Sequence, residues 1–333
     1  MRTALFRRQE PSAPPALPEI ETSTGSAGAA AWAAEHRDRV LAVVAEHGAA
    51  VVTGLGLRTV SDVETVFGQL GVRPARETEG FAARTPHADG VYSSVAWPAQ
   101  QPMCMHHELS YAGRFPGLLL FACLEAPAAG GATALADAAA VREALPSEVV
   151  DRFEREGWLL SRAYHEEIGT SLAQAFGTTD RRAIDAYCRD HDIVTDWQPD
   201  GSLRTRQHRS AVVRHPGTGR RCWFNQIAFL NQWTMDPEVR AFLIEEYGLG
   251  GLPFNTSYGN GDSVAAGTVE QINKAYESHT VRRPWQAGDL MLVDNIRTAH
   301  SREPYEGARH VVVAMADPKR QASPVAQTRS AAI

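Results

Sequence analysis

The sequence predicts a β-rich α+β domain, a double-stranded β-helix (jelly roll) with helices inserted between its strands. Three observations predict it. Short apolar runs recur, at 50–53, 118–123, 133–136, 290–293 and 311–315. Gly and Pro bound them, as in Pro116-Gly117, Gly130-Gly131 and Gly288-Asp289. Helix-period segments interrupt the strands without repeating regularly.

In chain order, residues 1–30 are rich in Pro, Ala, Ser and Glu and read as a flexible arm. A helix is predicted over 31–47, with Val40, Val43 and Val44 on one side and Gly48 as its stop. Ala50-Val51-Val52-Thr53 reads as a buried strand. Ser61-Asp62 is placed to cap a second helix ending at Leu70. The polar stretch 74–103 contains few definable elements. Leu118 to Cys123 is a strand, and Thr133 to Ala136 another after the Gly130-Gly131 turn. Residues 138–156 are predicted helical. Residues 160–222 mix short strands with polar excursions and a helix at 179–190, and read as an insertion that could form a lid. Helices follow at 236–247, opened by Asp236-Pro237, and at 268–278. Strands 290–293 and 311–315 complete a single domain over 31–317, and 318–333 read as a disordered tail.

Composition narrows the function classes. The 333 residues carry a formal charge of −6, which argues against a nucleic-acid partner. No apolar run approaches the roughly 20 residues needed to cross a bilayer, and no signal peptide is evident. The four cysteines, Cys104, Cys123, Cys188 and Cys222, form no CxxC pair and suit free thiols in a reducing cytoplasm.

The chemistry-bearing run is Met105-His106-His107-Glu108-Leu109-Ser110-Tyr111. On a strand, residues i and i+2 point the same way, so His106 and Glu108 can reach one metal while His107 faces elsewhere. A third ligand must come from another element. His300 is the best candidate, because it follows an apolar strand and the polar pair Asp294-Asn295. Two histidines and one carboxylate on one side of a metal leave the other side open, the pattern of non-haem Fe(II) oxygenases.

These runs, with Gly130-Gly131-Ala132-Thr133 and Gly307-Ala308-Arg309-His310, resemble the TauD/TfdA family of Fe(II)- and 2-oxoglutarate-dependent oxygenases from about residue 30 to Asp317. Trp223-Phe224-Asn225-Gln226 and Thr256-x-Tyr258-Gly259 are most similar to a branch typified by the syringomycin-pathway aspartyl hydroxylase. Members of that branch often modify amino acids or acyl groups in natural-product pathways. The resemblance implies a clavaminate-synthase-like jelly roll. It implies His106, Glu108 and His300 as iron ligands and catalytic residues, and 2-oxoglutarate and dioxygen as cosubstrates. Arg309 would bind the far carboxylate of 2-oxoglutarate through a guanidinium fork, with Thr133 adding a hydroxyl. The substrate is expected to be a small molecule, an amino acid or a derivative of one, either free or presented on a carrier protein. Candidate substrate contacts are Arg302, His107, Asn225, Gln226, Ser93 and Ser94.

One departure matters. Relatives that grip an anionic substrate group place a second arginine four positions after the cosubstrate arginine, and Val313 stands there in this chain. Arg302 is the expected substitute. Arg204, Arg206, His208, Arg209 and Arg214 in the insertion are candidates for a lid or for receiving a carrier arm. A carboxylate at Glu108 fills the site that a halide takes in halogenating relatives, so hydroxylation is expected. Desaturation, epoxidation or cyclisation by the same centre stay open. More distant alternatives are a zinc protein using Cys104, His106 and His107, and an iron-free binding protein on the same fold.

Overall fold

Four strands of this chain are apolar on both faces: Ala49–Thr53, Arg114–Glu125, Leu290–Asp294 and His310–Arg320. Each must therefore be covered twice. Val51, Leu119, Phe121, Met291, Val311 and Val313 point into the inner core. Their alternating neighbours Val52, Leu120, Leu292 and Val312 pack with Ala33, Val40 and Val44 of helix Gly25–His47 and with Val63 and Phe67 of helix Val60–Gln69.

The computed structural model describes residues 16–82 and 84–321. In it these strands belong to a seven-stranded sheet, in the order Glu19–Glu21, Ala49–Thr53, Leu290–Asp294, Arg114–Glu125, His310–Arg320, Val91–Ser93, Pro86–Ala88. A four-stranded sheet lies against its inner face, in the order Thr280–Val281, Thr133–Asp137, Thr298–Arg302, Met103–His106. Met103, Leu135 and Ala299 of this sheet share the core with Phe121 and Val313 of the larger one. Strands far apart in sequence are neighbours in both sheets, as expected of a jelly roll. Among the described residues, no helix is long and apolar enough to cross a membrane.

The insertion has an architecture of its own. Ile193–Trp197, Leu203–Arg209, Trp158–Tyr164 and Asn255–Tyr258 form a separate four-stranded sheet. Helix Arg181–Asp190 packs on it through Ile184 and Cys188, against Tyr164, Ile193 and Leu203. The insertion thus begins slightly before residue 160 and borrows a strand from beyond 222.

Several expected boundaries move. Within the arm expected over 1–30, Glu19–Glu21 pairs in parallel with Val51–Thr53 and the first helix starts at Gly25. Residues 1–15 lie outside the described residues. The cap of the second helix is Thr59, whose side chain accepts from Asp62 while Asp62 returns a bond to the Thr59 amide. The helix expected over 138–156 is two, Ala138–Ala144 and Ser147–Glu156, because Pro146 disfavours helical geometry at Leu145. Residues 318–320 do not belong to the tail expected from 318, since the last strand runs to Arg320 and pairs as far as Arg114. Residues 322–333 lie outside the described residues.

Candidate functional site

The site is assembled at the inner face of the smaller sheet. His106 ends its edge strand, and His300 lies directly opposite on the next one. Glu108 follows in a turn, not on the strand, so side-chain alternation does not explain its direction. The turn does: Leu109 takes a left-handed φ of 53°, and Asn295 clamps the main chain. The Asn295 side chain accepts from the Glu108 amide at 2.8 Å and donates to the Glu108 carbonyl at 2.9 Å and the Pro116 carbonyl at 2.7 Å. Glu108 is thereby turned back toward the two imidazoles. Ligand atoms of His106, Glu108 and His300 all lie within 4.8 Å of one another, and all three residues are buried.

This donor set fits a divalent metal. The Nδ1–H of His106 donates to the Cys104 carbonyl at 2.8 Å, which leaves Nε2 as the bare nitrogen facing the cluster. Burial lowers the pKa of His106 and His300, and for His300 the neighbouring His106 adds to the effect. Neutral imidazoles are the form that binds metal. Phe229 stacks on His106 at 4.8 Å and Phe121 lies 5.1 Å from His300, so the rings are held by packing. His106, Glu108 and His300 are the sole such cluster of three or more metal-ligating side chains among the described residues. Cys104 and His107 do not join it, which removes the support for a zinc site built on Cys104, His106 and His107.

A cavity of about 50 Å³ lies beside the two histidines, lined among others by Arg84, Thr133, Arg302 and Arg309. Arg302 and Arg309 have no carboxylate partner among the described residues, and their mutual repulsion adds to burial in lowering Arg309 to about 10. Two guanidiniums without a counter-charge make an anion site. Nε of Arg309 donates to the Gly131 carbonyl at 3.0 Å and Nη2 to Thr133 Oγ1 at 3.4 Å. Trp285 Nε1 donates to the same Oγ1 at 3.2 Å. With both lone pairs of that oxygen engaged, its own O–H is left to donate to an anion.

The other candidates are placed differently. Arg302 lines the cavity, but its Nη1 and Nη2 donate to the carbonyls of Trp97, Pro98 and Gln101 at 3.0, 2.7 and 2.5 Å. His107 faces away from the cluster, with Nδ1 2.6 Å from the Asn295 carbonyl oxygen and its ring against Phe224. Asn225 donates to the Ala211 carbonyl and accepts from the Ile227 amide, and Gln226 donates to the His107 carbonyl. These three are not among the cavity-lining residues. Ser94 lines the cavity while its hydroxyl donates to the Val311 carbonyl, and Ser93 accepts from the Thr85 amide. Arg204, Arg206, His208, Arg209 and Arg214 of the insertion do not line the cavity either; Arg209 instead ties the Tyr111 and His191 carbonyls together.

Two residues at the site escaped the sequence reading, Glu77 and Arg84. Both sit in the stretch 74–103, where neither periodicity nor spacing marks them. The Arg84 side chain is only 5% exposed, and its Nη2 donates to Glu108 Oε2 at 2.8 Å. Its Nε lies 3.4 Å from Glu77 Oε1 without making a hydrogen bond. Asn295 was noted in sequence as half of a polar pair, but its clamp on Glu108 carries no local signal.

Comparison with known proteins agrees with this architecture. The family model described as taurine catabolism dioxygenase TauD, TfdA family, matches residues 10–315. The dapdiamide synthesis protein DdaC of Enterobacter agglomerans is 32% identical over 276 residues, covering 83% of this chain and 84% of that one. A clavaminate synthase-like protein of Arabidopsis thaliana is 26% identical over 284 residues, covering 81% and 82%. Among solved structures, the PvcB protein of Pseudomonas aeruginosa superposes with a TM-score of 0.51 at 13% identity, covering 95% of each chain. That likeness supports the jelly-roll assignment. A match over nearly the whole chain, together with a 32% identical relative, leaves one conclusion: the protein belongs to the TauD/TfdA family of Fe(II)/2-oxoglutarate-dependent dioxygenases.

Proposed function

We propose that this enzyme hydroxylates an unactivated C–H bond of an amino acid, or of a small molecule derived from one, in the biosynthesis of a natural product. His106, Glu108 and His300 would hold Fe(II), and Arg309 with Thr133 would hold the far carboxylate of 2-oxoglutarate. The observation that carries the reading is the juxtaposition of the buried His–Glu–His cluster with two guanidiniums that lack a counter-charge, across one small cavity. A metal-binding edge and an anion-binding edge are what a bidentate keto acid with a distant carboxylate requires. The relationship to a dapdiamide synthesis protein supports the biosynthetic setting.

When bound, the iron and its cosubstrate supply the oxidising power for C–H cleavage. The rest is the work of the chain. The main-chain carbonyl of Cys104 fixes the tautomer of His106. Asn295 holds the Glu108 turn rigid, so the carboxylate does not swing away from the histidines. Phe81, Phe121 and Phe229 surround the imidazoles and restrict water around them. Glu108 supplies the third ligand, which favours hydroxylation over halide transfer.

The test is anaerobic addition of Fe(II) and 2-oxoglutarate to the purified protein. A weak visible metal-to-ligand charge-transfer band is expected, followed on oxygenation by succinate formation that a subset of amino acids stimulates. Absence of both the band and succinate would overturn the reading.

A further inference from the structure

Val313 removes the usual second arginine, and the Nη groups of Arg302 are committed to three main-chain carbonyls. The substrate's charged group therefore needs another partner, and one is present on a different element. We propose that Arg84 and Glu77 together read the zwitterionic head of a free α-amino acid, Arg84 taking the carboxylate and Glu77 the ammonium. This rests on the oxygenase reading and narrows its substrate to one with an underivatised carboxylate.

Three observations carry it. First, Arg84 lines two cavities. It faces the small space beside His106 and His300, and also an outer cavity of about 590 Å³ lined among others by Glu77, Tyr92, Thr170 and Phe176. A molecule in the outer cavity would meet Arg84 and Glu77 on the side toward the metal cluster. Second, the internal pair is poorly made. Arg84 Nε and Glu77 Oε1 are 3.4 Å apart, and Nε makes no hydrogen bond although it is buried. A buried donor without a partner is costly, so a ligand that completes it is favoured. Third, the charges match. A zwitterion laid antiparallel on an Arg–Glu pair meets both ions with opposite charges, and the head group is desolvated without leaving an uncompensated charge. The Glu77 amide is fixed by the Tyr92 hydroxyl at 2.9 Å, so the carboxylate is presented from an anchored main chain.

An amino acid tethered as a thioester has lost its carboxylate and would offer Arg84 no anion beyond Glu108 and Glu77. The proposal therefore separates free from carrier-bound substrate.

The experiment is equilibrium binding, by calorimetry, of the twenty common L-amino acids to full-length protein loaded with Mn(II) and N-oxalylglycine. The best binder is then repeated as its methyl ester, its N-acetyl derivative and its N-acetylcysteamine thioester. At least one free amino acid is expected to bind. Each derivative should bind at least about tenfold more weakly, the scale of one lost charge-assisted contact. Arg84→Gln and Glu77→Gln should each lose at least about tenfold for the free amino acid. The derivative lacking the group that each variant no longer reads should show little further loss. Mn(II) affinity and the melting temperature, read on the same samples, establish that each variant is folded and loaded, and Arg84→Lys should recover part of the binding. No binding by any free amino acid, equal or tighter binding of the thioester, or unchanged affinity in both Gln variants would overturn the proposal. The charge-transfer band with 2-oxoglutarate is recorded first. Its presence alongside any of those results would defeat the head-group assignment and leave the oxygenase reading intact.

Discussion

His106 and His300 are cross-strand partners, opposite one another where Met103–His106 pairs with Thr298–Arg302, with ring centroids 4.2 Å apart. Two imidazoles at a paired register position share a face of the sheet, so the metal-side geometry is set by strand pairing. A one-residue slip would send His300 to the opposite face. The register does shift immediately afterwards, between His300 and Arg302, so the bulge lies just beyond the pair and leaves it aligned. His106→Ala and His300→Ala are each expected to lower Mn(II) or Fe(II) affinity by more than about 100-fold, beyond the loss typical of a supporting residue. Anaerobic equilibrium dialysis checks this; a variant that kept wild-type affinity would remove its residue from the ligand set.

The Asn295 clamp predicts a subtler phenotype. Its side chain makes three hydrogen bonds that shape the Glu108 turn, and it touches no ligand side chain. Asn295→Ala should therefore weaken metal binding by about 10- to 100-fold through misplacement of Glu108. It should also cost about 1–3 kcal/mol of stability for each buried main-chain group left unpaired. Metal titration and a melting curve on the same variant separate the two effects. Loss of stability without loss of metal affinity would show that the turn holds Glu108 unaided.

The anion site predicts a split between affinities. Arg309→Met should raise the concentration of 2-oxoglutarate needed for half saturation by about 10- to 100-fold, while leaving metal affinity within about twofold. Thr133→Val should weaken 2-oxoglutarate less, because it removes one neutral donor. It should also lower the melting temperature, since the indole N–H of Trp285 loses its acceptor. The band titrated against 2-oxoglutarate measures both. Arg302→Met, by contrast, should act mainly on stability, because its donors hold the loop at Trp97, Pro98 and Gln101.

Much of this was legible in sequence. The continuous apolar runs around Phe121, Met291 and Val313 read as strands, and a jelly roll follows from their short length and Gly/Pro boundaries. His106, Glu108 and His300 stand out because metal-ligand chemistry restricts residue type, and Arg309 and Thr133 because the family resemblance implies them. The structure places His106, His300, Arg309 and Thr133 on one cavity and Glu108 against the two histidines. What stayed hidden depends on tertiary contact. Alternation along a strand predicts a shared face for His106 and Glu108, whereas a left-handed Leu109 and Asn295, distant in sequence, determine the direction of Glu108. Arg84 and Glu77 lie in a segment without periodicity, and nothing local marks a charged side chain as buried. The substrate candidates His107, in the metal motif, and Asn225 and Gln226, in the segment that carries the branch resemblance, instead bond main-chain atoms.

Burial makes stability depend on pH at Glu77. Desolvation pushes its carboxyl up from 4.5 to about 7, with Arg84 opposing and Glu108 reinforcing the shift. A carboxyl raised on folding takes up a proton as the chain folds between pH 4.5 and 7. The folded state is favoured below that window and loses the advantage as pH rises through about 7. Glu77→Gln keeps the shape without the charge. In chelator-treated protein the variant should be the more stable form at pH 8, by up to about 3 kcal/mol, and the gap should narrow to about 1 kcal/mol or less at pH 5. Denaturant unfolding at the two pH values checks this, and a gap independent of pH would show that Glu77 is already ionised at pH 5.

The insertion predicts an effect at a distance. Glu79 is fully buried, with a left-handed φ of 64°, and is the hub that joins the Glu77–Arg84 loop to the insertion sheet. The Tyr187 hydroxyl donates to Glu79 Oε1 at 2.8 Å, Gln207 donates to Oε2, and Arg162 donates to the Glu79 and Gly80 carbonyls at 2.7 and 3.0 Å. Tyr187 lies on helix Arg181–Asp190, and Arg162 and Gln207 lie on the insertion strands. The insertion therefore supports the loop that carries Arg84, although its own basic residues do not line the metal-side cavity. Tyr187→Phe deletes one hydrogen bond to a buried carboxylate, worth about 1.5–3 kcal/mol where the partner is charged. Loosening spread over the loop should appear as a loss of about 3- to 10-fold in amino-acid affinity. Metal affinity should fall by less than this, because Asn295 holds the Glu108 main chain independently of the loop, whose one bond to Glu108 is from Arg84. Hydrogen exchange should rise across 77–82 and remain flat across 103–109. Matched losses of metal and amino-acid affinity would mean that the loop and the metal turn move as one unit.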